Sequence, residues 1–176
     1  MNKKTIIFSV LAVFAFCISV TAQYVDRSSF KAGVNVGIPV GDASDFSSFS
    51  LGLDLGYHWG VSELVDVGVV SGFINAFGDS STLDGGALGQ IDVDFPDIQF
   101  IPVAAAFRLY PTYEFKLGAD VGYAVGVNEG NDGGFYWRPV IGYNITGNTE
   151  LNVSYMNINN DGESFSIAAL GLLFLF

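Results

Sequence analysis

The sequence predicts an all-β chain that closes into an eight-stranded antiparallel up-and-down barrel and crosses a membrane with its strands. Three observations predict it. Apolar and polar side chains alternate with a period of two along nearly the whole chain after Ser28, and the connections alternate between long and short. Half of the residues are apolar, yet no long apolar run follows the N-terminal segment. Strands that turn apolar residues to lipid and polar residues to a lumen read this way; amphipathic helices do not.

The chain opens with an export leader. Lys3 and Lys4 precede the apolar run Ile6 to Val20, and Val20-Thr21-Ala22 places small residues at a cleavage position. Residues 1–22 are therefore expected to be a cleaved signal peptide and residues 23–176 a single domain. The run of about 15 residues falls short of the roughly 20 that a spanning helix needs. Cys17 lies within the leader, so the mature chain has no thiol for a disulfide or a thiolate metal site. It keeps five basic side chains against 18 acidic ones, a balance that argues against a nucleic-acid partner. An aromatic content of 15 % argues against disorder.

Eight strands are expected over about 29–38, 48–59, 64–77, 98–110, 113–126, 135–145, 149–157 and 164–176. In the first, Phe30, Ala32, Val34, Val36 and Ile38 share one face while Lys31, Gly33, Asn35 and Gly37 share the other. The second alternates Leu51, Leu53, Leu55, Tyr57 and Trp59 with Ser50, Gly52, Asp54, Gly56 and His58. The fifth alternates Phe115, Leu117, Ala119, Val121 and Tyr123 with Glu114, Lys116, Gly118, Asp120 and Gly122. The third changes frame near Ser71, and the eighth is apolar on both faces. Most of these segments reach the roughly 9–11 residues that cross a bilayer when tilted.

The expected connections 39–47, 78–97, 127–134 and 158–163 are long, whereas those at Gly60, Pro111 and Gly147 are tight. Outer-membrane barrels sort their loops in this way, with long extracellular loops, short periplasmic turns and both termini periplasmic. The longest loop, 78–97, is expected to be mobile. The last six residues, Gly171-Leu172-Leu173-Phe174-Leu175-Phe176, carry the glycine, hydrophobic and terminal-aromatic pattern (Gly171, Phe174, Phe176) that barrel-assembly machinery reads. Leu170 departs from it, since a polar residue usually precedes the glycine.

The stretches Gly33-Val34-Asn35-Val36-Gly37 with Val40-Gly41-Asp42, Asn131 to Pro139, and the terminal strand resemble the small porin-like outer-membrane β-barrel domain family of Gram-negative bacteria. The resemblance covers nearly all of 23–176. It implies architecture and a place in the outer membrane, and it brings no catalytic residue set.

Charge placement says more. Lys31, Arg108, Lys116 and Arg138 fall in inward frames, as do Asp54, Asp66, Glu114 and Asp120. Inside a narrow barrel they should pair into an interior charge network, because an unpaired charge there is costly. The alternative is a charged pore lining. An eight-stranded barrel has a lumen that side chains just fill, which favours the plug. The long loops hold eleven acidic residues (Asp42, Asp45, Asp79, Asp84, Asp92, Asp94, Asp97, Glu129, Asp132, Asp161 and Glu163) and no Lys or Arg. Asp92, Asp94 and Asp97 form the densest set, a candidate weak rim for divalent cations. Asn157-x-Asn159-x-Asp161-Gly162 fails as a calcium loop, since its first position lacks Asp and its twelfth is Ala168. No specific metal site or cofactor is expected.

His58, the only histidine, stands in an inward frame without a serine motif, so an interior hydrogen-bonded role is expected in place of catalysis. Tyr24, Tyr57, Trp59, Tyr110 and Tyr113 at one end, and Phe135 and Trp137 at the other, suit interfacial aromatic girdles. Together these features predict a non-enzymatic outer-membrane protein with a structural or surface-interaction role, embedded in outer-membrane lipid. The alternative is a narrow porin-like channel for small cationic solutes.

Overall fold

The computed structural model describes residues 27–84, 90–160 and 162–176, and among these the side chains of 81–84 and 90–94 are not described. The expected leader and Tyr24 lie outside the described residues. Eight long strands form the wall: β1 (Ser29–Val40), β2 (Ser47–Gly60), β3 (Val65–Gly78), β6 (Ile98–Leu109), β7 (Phe115–Gly126), β8 (Gly134–Thr146), β9 (Thr149–Asn160) and β10 (Glu163–Leu175). Two short strands, β4 (Ser80–Asp84) and β5 (Gln90–Asp94), pair with each other as a separate ribbon. The wall strands are antiparallel neighbours in the order β1-β10-β9-β8-β7-β6-β3-β2, and β1 pairs with both β10 and β2, so the sheet has no free edge. Closure satisfies backbone groups that lipid could not.

The strands are staggered. A line of direct partners starting at Asn35 in mid-β1 passes through Gly52, Ile74 and Phe100 to Gly126, the last residue of β7. Such drift is what strand tilt in a closed barrel requires.

The period-two code sets the faces. Leu53, Val69, Val103 and Val153 point outward and are 53, 53, 52 and 58 % exposed. Lys31, Asn35, His58, Asp66, Arg108, Lys116, Asp120, Arg138 and Glu150 point inward and are buried. A folded chain with an apolar exterior and a charged interior is built for lipid, because in water that exterior would be an unprotected apolar patch.

Several expectations are corrected. β3 does not change frame at Ser71: its register with β6 is the same at Val70↔Ala104 and Ser71↔Val103 as at Ile74↔Phe100. Val70 and Ile74 point inward because the lumen contains an apolar cluster with Phe100, Tyr136, Met156, Ile158 and Ile167. β10 is apolar on both faces for the same reason, with Ile167 and Ala169 buried inside and Leu170 and Phe174 exposed outside. The expected loop 158–163 is a tight hairpin, since β9 runs to Asn160 and β10 starts at Glu163. Gly162, at φ 97°, lies in the left-handed region that glycine adopts readily in hairpin connections. Within the longest expected loop, 78–97, the strands β4 and β5 pair with each other.

Candidate functional site: the charged lumen and its two mouths

The inward frame gathers every basic residue among the described residues. Arg138 on β8 bridges Asp54 on β2 at 2.7 Å and Asp120 on β7 at 2.8 Å, and Arg108 on β6 reaches the other Asp120 oxygen at 2.6 Å. Lys116 on β7 pairs with Glu150 on β9, two strands away. Gly142, which lies between them on β8, makes room: a Cβ there would sit 2.7 Å from a Glu150 carboxylate oxygen and 2.8 Å from Lys116 Cε. Asn35 donates to Asp54 at 3.0 Å and lies over Gly52, where a Cβ would come within 2.5 Å of its side chain.

Arg27, placed by the entry of β1, binds Asp66 at 2.9 Å and donates to the carbonyls of Ser62 and Glu63 in the β2–β3 turn. Its guanidinium stacks 4.7 Å above the Tyr110 ring. Lys31 donates to the Tyr110 hydroxyl at 3.2 Å. Burial, helped by the Asp66 charge, raises the pKa of Tyr110, so this phenol stays protonated.

Seven of the eight residues expected inside stand there: Lys31, Asp54, Asp66, Arg108, Lys116, Asp120 and Arg138. Glu114 does not. β7 starts at Phe115, which leaves Glu114 exposed in the β6–β7 turn, and Glu150 takes the place of the carboxylate beside Lys116. The alternation of Glu150, Asn152 and Ser154 with Leu151, Val153 and Tyr155 carried that signal. Tyr110 leaves the proposed girdle as well: two residues after inward Arg108, it keeps the inward frame and is buried. His58 is buried in the lumen, but neither ring nitrogen has a hydrogen-bond partner among the described residues, contrary to the expected hydrogen-bonded role. Gly56 and Gly68 flank it, and neither offers a polar side chain.

Two cavities lie at opposite ends of the lumen. The first, about 510 Å³, is lined at the end of the termini and tight turns by Arg27, Ser29, Lys31, Asp66, Tyr110 and Phe176 among others. The second, about 520 Å³, is lined at the loop end by Asp42, Asp132, Glu163, Ile98, Ile158 and Phe165 among others. They share no lining residue, and the ion-pair layer and the apolar cluster lie between them.

Of the candidate cation rim, Asp97 is engaged in structure: its carboxylate accepts from Asn75 Nδ2 and from the Gly78 amide, both at 3.1 Å. Asp92 and Asp94 stand opposite Thr82 and Ser80 on the ribbon, and their side chains lie outside the described residues. Of the C-terminal pattern, Gly171 packs on Asn152, while Phe174 and Phe176 are exposed, the latter beside Phe30 at 6.2 Å. Among the described residues no group of three or more His, Cys, Asp or Glu is placed to hold a metal.

No protein-family profile and no curated protein sequence matches the chain. Solved structures do. The crystal structure of Ail, the attachment invasion locus protein of Yersinia pestis, aligns with a TM-score of 0.55 at 16 % identity, over 85 % of this chain and 97 % of Ail. The structure of Ail with the heparin analogue sucrose octasulfate aligns at 0.50 and 17 % identity, over 86 and 99 %. A chain from the de novo design of transmembrane β-barrels aligns at 0.51 and 14 % identity, over 84 and 95 %. At such identities the likeness is one of fold, and the fold is the eight-stranded transmembrane β-barrel.

Proposed function

We propose that this chain is an exported bacterial outer-membrane protein whose barrel is a non-conducting, non-enzymatic anchor for a surface-interaction role. The observation that carries this reading is the layer of ion pairs and the apolar cluster that lie between the two mouths. The interior of a barrel this narrow is just wide enough for side chains to fill. The signal-peptide pattern in residues 1–22 supports export, and the pattern of Gly171, Phe174 and Phe176 supports handling by barrel-assembly machinery. The lone histidine lies between two glycines with no nucleophile in hydrogen-bond contact, which supports a role without catalysis.

The segments 39–47, 78–97, 127–134 and 158–163 hold eleven carboxylates and no Lys or Arg, which gives this end of the barrel an acidic face. Such a face repels polyanions of the kind seen on Ail, so the partners we infer are cationic surfaces, or divalent cations that bridge the loops to anionic lipid headgroups. The acidic loop end also motivates the second reading, a channel for small cations. Five bases against four carboxylates in the lumen weigh against it. Insertion into lipid tests the anchor reading: refolded protein should float with vesicles and show heat-modifiable gel mobility. A protein that stays soluble and monodisperse without detergent would refute it.

A further inference from the structure

We propose that the mouth at the end of the chain termini is a binding site for one oxyanion, a carboxylate or phosphate group, seated on Arg27, Ser29 and Lys31. Counting ion pairs leads to it. Arg27 takes Asp66, Lys116 takes Glu150, and Arg108 and Arg138 share Asp54 and Asp120. Four carboxylates are thus matched by four bases, and Lys31 is left over. Among the described residues no carboxylate lies within ion-pairing distance of it, and its one hydrogen bond goes to the neutral Tyr110 hydroxyl. Lys31 is 2 % exposed, so the cation is withdrawn from bulk water without a direct ion-pair partner among the described residues. A buried ammonium in that position gains strongly from an anion.

The neighbouring groups suit one. Arg27, Ser29 and Lys31 alternate on the inward frame and all line the 510 Å³ cavity. Each keeps donor capacity: Arg27 Nε and Ser29 Oγ have no hydrogen-bond partner, and the Lys31 ammonium has two further N–H groups. The nearby acids compete little, since Asp66 is held by Arg27 and Glu150 by Lys116, while Glu63 lies exposed at the rim. Leu64, Tyr113 and Phe176 add apolar wall for the body of a small organic acid. The site needs the closed barrel and does not depend on which way the barrel is inserted.

The test is an NMR titration of the intact mature barrel in a maltoside detergent, which carries no phosphate. Inorganic phosphate and acetate are added at constant ionic strength against chloride. Saturable amide shifts at Ser29, Lys31 and Tyr110 are expected, with the affinity falling at least tenfold in Lys31→Met and several-fold in Ser29→Ala. Ser29→Ala removes only one hydroxyl, so it serves if Lys31→Met does not fold. Shifts that rise linearly, that chloride reproduces, or that persist undiminished in the folded variants would overturn the site. Repeating the titration in phosphatidylglycerol nanodiscs distinguishes the sources of the anion. A weakened phosphate affinity there assigns the site to lipid headgroups, and an unchanged one assigns it to soluble anions. Failure of this test leaves the filled-lumen reading standing, because the conductance of the barrel is measured separately.

Discussion

Arg138 Nη1 meets an Asp54 oxygen at 2.7 Å although the two residues stand on β8 and β2, four strands apart around the ring in either direction. The bond therefore spans the lumen at its full width. Arg138 also grips Asp120 on the neighbouring strand β7, so one guanidinium ties opposite walls together. Its planar fork suits that double role, which a lysine point charge would not fill.

Replacing Arg138 by Met should destabilise the barrel by about 3–5 kcal/mol, the usual loss when one partner of a buried ion pair is removed and the others stay charged. Urea unfolding in lipid vesicles, followed by tryptophan fluorescence, measures it. A loss below about 1 kcal/mol would mean that Asp54 and Asp120 are hydrated.

Glu150→Gln should destabilise the barrel clearly, because Lys116 then keeps no charged partner among the described residues. Glu114→Gln should leave the unfolding midpoint unchanged, since Glu114 is exposed in a turn. Equal effects in the two variants would contradict the pairing.

Leu53→Arg places a cation on the lipid-facing side of β2 and should cost roughly 2–4 kcal/mol if it lies near the bilayer midplane. Yield of heat-modifiable folded protein in vesicles is the readout. Wild-type yield would show that the faces are inverted.

Much of this was legible in the sequence because lipid and lumen impose opposite chemistries on alternate residues. Leu53 against Asp54 and Leu117 against Lys116 could be assigned without structure. The code fails where the lumen itself is apolar, which is why Val70 and Ile74 suggested a frame change on β3 that the register does not contain. It also fails at strand ends: Glu114 shares the parity of Lys116 but belongs to the turn. The β4–β5 ribbon escaped notice because two five-residue strands carry little periodic signal. Arg27 was missed as a member of the network, since its frame is set by its contacts with Asp66 and the β2–β3 turn, which lie more than 30 residues away.

Divalent cations should raise the thermal midpoint of the folded barrel through linkage. Asp92→Asn with Asp94→Asn should shrink that rise in melts with millimolar Ca²⁺ at fixed ionic strength. Asp97→Asn should act differently, lowering the midpoint without Ca²⁺, because its carboxylate holds Asn75 and the Gly78 amide. An identical Ca²⁺ response in wild type and the double variant would remove the ribbon from any cation rim.

The filled lumen is tested most directly by single-channel recording of the refolded mature protein in a planar bilayer. With the Arg138–Asp54 bridge and the apolar cluster in place, the membrane should hold its baseline current at both polarities and in high salt. Stable conductance steps that scale with salt concentration and favour cations would contradict the plug and establish the channel.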